Sequence, residues 1–184
     1  SPPTIYMNNV DIILLGIIIV FGLAGFFFGF IHTLGSLLGT VLGVYLATRY
    51  YGFMADWLMS FTGWQGNTSK VIMFILAFGI INRLVGLVFF FIEKIFNILK
   101  FLPFIKTFNR LIGLILGLSE GIITIGFIIF FIERFPLSGY IMSFLANSVI
   151  APYASGIASI LWPLLPEAFR LLQSSVEYVE NIVK

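Results

Sequence analysis

Phe108-Asn109-Arg110-Leu111-Ile112-Gly113-Leu114-Ile115-Leu116-Gly117-Leu118-Ser119-Glu120-Gly121 decides the fold, together with the apolar run that carries it on to Phe131. Leu111 to Phe131 is 21 residues long, about 31 Å as a helix, which is the thickness of a hydrocarbon core. Gly113, Gly117 and Gly121 recur every four residues and stack on one helix face, where they admit the backbone of another helix. Glu120 falls near the middle of the span. An ionised carboxylate there is costly and needs a partner, a wet cavity or a proton.

The whole chain agrees with a membrane protein. Of its 184 residues 60% are hydrophobic and 10% charged, against roughly a quarter charged in soluble domains. The expected fold is all-α: one domain over residues 1–184, with about four transmembrane helices followed by C-terminal amphipathic helices at the interface. The net charge of +2 is spread over scattered basic residues, which argues against nucleic acid. Cysteine is absent, so disulfides, thiolate metal sites and cysteine catalysis are excluded. Ser1 to Thr4 bring no Lys or Arg, and no small-residue cleavage site follows the first apolar run, so that run is expected to stay as a span.

Working outward, Asn8, Asn9 and Asp11 offer caps for a helix start, and Ile12 to Ala47 is 36 residues without a formal charge. One helix of that length would be about 54 Å. Two spans are expected instead, about 10–28 and 33–51, turning near Gly29 to His32; a broken, re-entrant helix around Gly22, Gly25 and Gly29 is the alternative. The second span repeats the small-residue pattern at Gly35, Gly39, Gly43 and Ala47, with Ser36 and Thr40 alongside. Packing within the subunit accounts for both glycine faces; packing between subunits around a pore is the other reading. His32, with no second histidine in the chain, reads as a structural side chain rather than a metal ligand.

Tyr50, Tyr51, Trp57 and Trp64 suit an interface belt, and Gly63 to Lys70 is a polar exit from the membrane. The third span, 71–92, is apolar except for Asn82 and Arg83. The loop that follows holds Lys94, Lys100, Lys106 and Arg110, which assigns it to the cytoplasm and both termini to the outside. The fourth span, 111–131, closes at Glu133, Arg134 and Pro136.

The tail, 137–183, is punctuated by Pro152, Pro163 and Pro166. Tyr140, Ile141, Phe144, Leu145 and Val149 share a helical face, as do Ile157, Ile160, Leu161 and Leu164, in segments expected to lie along the interface. A last amphipathic helix after Pro166 sets Phe169, Leu172, Val176, Val179 and Val183 opposite Glu167, Arg170, Glu177 and Glu180.

No nucleophile elbow, phosphate loop, HExxH or His/Cys ligand set occurs, so no catalysis, metal or cofactor is expected. Arg83 lies nine residues before Ile92, and Glu120 nine after Leu111. Antiparallel neighbours would hold the two level, some 13 Å below the inner boundary. The expectation is a buried Arg83–Glu120 ion pair locking the third span to the fourth, with a gating or proton-relay site as the alternative. Asn82, His32, Asn109 and Arg110 stand by as polar support. The partners implied are the bilayer and, beyond it, either a second copy of the chain or an export or envelope protein.

The run Asn109 to Gly121 resembles the DR-x-x-G-x-x-x-G-x-x-R-G signature of the colicin V production protein family of small bacterial inner-membrane proteins. Asp11, Gly25-Phe26-Phe27-Phe28-Gly29 and Gly35 are similar to that family's N-terminal pattern, and Asn147 to Pro152 to its tail. The likeness runs from about Val10 to Pro166. It departs at the basic residue usual between the paired glycines, which is Phe here, and at the basic residue before Gly121, which is Glu120. The resemblance implies a multi-pass inner-membrane factor for production or export of a peptide toxin and for envelope homeostasis, and it implies no reaction.

Overall fold

The computed structural model describes residues 7–64, 66–96 and 103–166. Six α-helices follow one another: α1 (Asn9–Phe28), α2 (Phe30–Thr62), α3 (Asn67–Phe96), α4 (Pro103–Arg134), α5 (Gly139–Ala146) and α6 (Ile150–Leu161), with a 3-10 turn at Trp162–Leu164. The first four are long and apolar enough to cross a membrane. The amphipathic helix expected after Pro166, and Lys100, lie outside the described residues.

α1 starts on a capping box: Asn8 Oδ1 accepts from the Asp11 N–H at 2.9 Å and Asp11 Oδ2 from the Asn8 N–H at 2.9 Å. It runs unbroken past Gly22 and Gly25, so the re-entrant alternative falls. The turn is a single residue, Gly29, at φ 85° and ψ −178°, a conformation open essentially only to glycine. Thr33 Oγ1 donates to the Gly29 carbonyl at 2.8 Å. α2 then outruns the expected span by eleven residues, to Thr62. Nothing between Tyr51 and Thr62 breaks a helix as Gly63 does, which caps it at φ 69°. Trp57 and Trp64 are exposed there.

α4 is the central helix, with half of its most apolar stretch buried against 22% for α1. α1 packs along it antiparallel at backbone distance. A Cβ on Gly25 would fall on the Gly113 carbonyl, one on Gly113 on the Gly25 carbonyl, and one on Gly117 on the carbonyl of Phe21. Gly121 faces Ile18 and Phe21. α2 packs along α3 in the same manner, with Gly35 against Phe89, Gly39 against Asn82 and Val85, and Gly43 against Phe78. α2 meets α4 running in the same direction, through Ser36 and Thr40 near Glu120 and through Tyr51 on Phe131. α1 and α2 therefore form a hairpin. Val44, Phe74, Phe78, Phe127 and Phe131 fill the core between α2, α3 and α4, where the Phe74 and Phe131 rings stack at 4.1 Å.

α6 adds to the tail a packing face that the large apolar residues do not mark. It docks on α4 through its small residues, burying Ala151, Ala154, Ser155 and Ala158. A Cβ on Gly126 would fall on the Ala154 carbonyl, and Ser155 Oγ donates to Glu133 at 2.6 Å. Ile157, Ile160 and Leu164 point outward, while α5 buries nothing and turns by 92° from α6. In water the large apolar face would turn in. In lipid it gains nothing by doing so, and the face that lets backbones approach wins.

Gly25→Leu and Gly117→Leu should each cost about 3 kcal/mol or more, because a side chain driven into backbone has no rotamer that can yield. Gly16→Leu and Gly79→Leu, where a Cβ meets open space, should stay within about 0.5 kcal/mol. Thermal unfolding of purified variants in detergent reads the difference, and equal losses in all four would remove the glycine contact as the basis of assembly.

Candidate functional site

Glu120, at 3% exposure, sits in the core where α4 crosses α2. Ser36 Oγ donates to its Oε1 at 2.5 Å, and Thr40 Oγ1 lies 3.4 Å from the same oxygen. Ser36 and Thr40 are one helical turn apart on the glycine-bearing stretch of α2, so the spacing that brings Gly35, Gly39 and Gly43 against α3 turns two hydroxyls toward α4. Asn82 of α3 closes the cluster: its Nδ2 donates to Thr40 Oγ1 at 2.7 Å, and its Oδ1 is 3.4 Å from Ser36 Oγ. Two helices, α2 and α3, thus place neutral hydrogen-bonding groups around a carboxyl carried by α4.

The expected Arg83–Glu120 ion pair is not formed. Glu120 turns to Ser36 and Thr40 of α2, while Arg83 stands on the exposed side of α3, so level depth does not bring the two residues together. Arg83 is exposed, one position on from Asn82, and makes no hydrogen bond or ion pair among the described residues. It lines a cleft with His32, Ser36 and Asn82. His32 is half-buried between the rings of Phe28, at 4.7 Å, and Phe90, at 6.3 Å. Its Nδ1 is buried without a partner among the described residues.

The remaining candidates have structural positions. Asn109 Oδ1 accepts from the Phe30 N–H at 2.9 Å, so a side chain of α4 caps the first turn of α2 directly after the Gly29 break. Arg110 holds its guanidinium over the Phe26 ring at 5.7 Å, a cation–π contact. Gly35, Gly39 and Gly43 serve α2 against α3; Gly113, Gly117 and Gly121 serve α4 against α1.

Asp11 is the residue that sequence reasoning undervalued. Read as a cap for α1, it is wholly buried and also caps α6. Its Oδ1 accepts from Ser148 Oγ at 2.6 Å and from the N–H groups of Val149 and Ile150 at 2.9 Å each. Asn8 Nδ2 adds a bond to the Phe144 carbonyl at 3.3 Å. A carboxylate at a helix N-terminus meets free donors and the positive end of the macrodipole, and here one side chain joins the start of α1 to the start of α6. The signal was available as Asn147-Ser148, a cap-like pair with no acid of its own.

Double-mutant cycles separate the contacts made from the one expected. Arg83→Met and Glu120→Leu should add within about 0.5 kcal/mol, whereas Ser36→Ala and Glu120→Leu should couple by about 0.5–3 kcal/mol. A coupling between Arg83 and Glu120 as large as that between Ser36 and Glu120, measured by unfolding in detergent, would contradict the arrangement.

Comparison with known proteins gives a family match. The family model described as colicin V production protein covers residues 10–159, from the first turn of α1 into α6, and so includes Asp11, Asn109 and Glu120. No curated protein and no solved structure matches significantly. With most of its length matched, and with four helices able to cross a membrane, this chain belongs to the colicin V production protein family.

Proposed function

We propose that the protein is a non-catalytic, multi-pass factor of the bacterial inner membrane that supports production or export of a colicin V-type peptide toxin, and envelope homeostasis, through a partner protein. Beside the family membership, the observation that carries this reading is that both glycine faces are consumed within one chain. Gly113 and Gly117 take α1, and Gly35, Gly39 and Gly43 take α3, which leaves the protein a closed bundle rather than a stave of a ring. A small oligomeric channel is the second reading, favoured by the Glu120 cluster, since a buried carboxyl among hydroxyls is chemistry used to pass protons or cations. In a toxin-producing host, loss of the gene should shrink the growth-inhibition halo, with recovery by the wild type and not by Gly117→Leu. Ion or proton flux through liposomes holding the purified protein alone would overturn the accessory reading in favour of the channel.

The orientation follows from charge. Lys94, Lys106 and Arg110 stand at the end of the bundle where α1 turns into α2, which we assign to the cytoplasm. Lys106→Cys should then be labelled by a membrane-impermeant maleimide only after the cells are opened, and Met7→Cys and Thr62→Cys in intact spheroplasts. The inverse pattern reverses the assignment.

A further inference from the structure

Between α2 and α3, close to the break at Gly29, lies a cleft of about 210 Å3 lined by Phe28, His32, Ser36, Arg83, Leu87 and Phe90. It has room for several waters or for a tetrahedral oxyanion. Its donors define what it takes. Ser36 commits its hydroxyl hydrogen to Glu120, and Asn82 gives an N–H to Thr40. Arg83 and His32 are left, neither with an acceptor among the described residues. A guanidinium in an apolar span is costly unless an anion meets it, and its planar fork matches a carboxylate or a phosphate. Glu120 does not serve, being held behind Ser36 and Thr40.

The walls and the level of the cleft narrow the choice. Phe28, Leu87 and Phe90 are 51%, 44% and 40% exposed, an apolar margin that suits hydrocarbon and would be wasted on a free ion. Phe28 ends α1 and Phe90 packs on His32, so the rim stands at the membrane boundary. Arg83 lies seven residues from Phe90, about 10 Å along α3, and a long basic side chain at that depth reaches toward the headgroups. Lys94, Lys106 and Arg110 at the same end draw anionic lipid to it. The geometry points to a binding site for the phosphate of an anionic phospholipid, held by Arg83 and His32, with an acyl chain along Phe28, Leu87 and Phe90.

Native mass spectrometry and thermal shift on the full chain in detergent test this with phosphatidylglycerol, phosphatidylcholine and inorganic phosphate as probes. The wild type should retain one more phosphatidylglycerol than Arg83→Gln, bind it about tenfold or more tighter than that variant, and bind phosphatidylcholine more weakly. Gly86→Leu, which adds bulk where a Cβ on that cleft-lining glycine meets nothing, should lose the lipid with the charge intact, and it carries the test should Arg83→Gln fail to fold. Arg49→Gln, exposed at the opposite end, should bind as the wild type does. Equal binding by the wild type, Arg83→Gln and Gly86→Leu overturns the site. Inorganic phosphate that matches phosphatidylglycerol in affinity overturns the lipid as its occupant.

Discussion

The structure depends on how closely α1 can approach α4. In lipid no hydrophobic gain draws two helices together, since an acyl chain is as apolar as a leucine, so packing rests on dispersion between backbones that come into contact. Gly25 and Gly113 meet reciprocally, each standing where the other's Cβ would be. From that contact the register of the hairpin follows: Phe21 reaches Gly117, Ile18 reaches Gly121, and Gly29 arrives beside Asn109, whose side chain caps the next helix. The same rule explains why α6 presents alanines to Gly126 and leaves Ile157 and Ile160 outside.

Two buried acids are handled in two ways. Asp11 is met by backbone N–H groups of two helix starts and by Ser148, an arrangement suited to a charged carboxylate. Glu120 is met by two hydroxyls that each have a second acceptor within reach, Thr40 in its 3.2 Å bond to the Ser36 carbonyl and Ser36 at 3.4 Å from Asn82 Oδ1. Asp11 is fixed by donors with nowhere else to turn, whereas the donors of Glu120 have a second choice. The first arrangement is a joint between two helix starts; the second is a shared hydrogen-bond cluster.

Apolar run lengths were enough to read four helices able to cross a membrane, because hydrophobic length is a local property of a helix. Family membership was legible in the segment from Asn109 to Gly121. The partner of Glu120 was not. Level depth is a one-dimensional argument: Glu120 turns to Ser36 and Thr40 of α2 and Arg83 stands exposed on α3, a fact that resides in which way the two side chains face rather than in how deep they lie. The docking of α6 on α4 through Ala151, Ala154 and Ala158 was not legible, because a pattern that sorts large from polar residues does not mark a small-residue face. Asp11 was half read: its capping of α1 is a three-residue pattern, while its hold on Ser148 spans 137 positions and leaves no periodic trace.

The order in which the chain is made bears on the break at Gly29. α1 and α2 leave the ribosome as a pair joined by one residue, with neither Gly25 nor Ser36 yet provided with its partner. Those partners, Gly113 and Glu120, lie on α4, which follows α3 in the chain. Until then the glycine face of α1 lacks α4 and the start of α2 lacks the Asn109 cap. α4 is thus a closing element, and a nascent chain stopped before it carries three helices but only one finished interface.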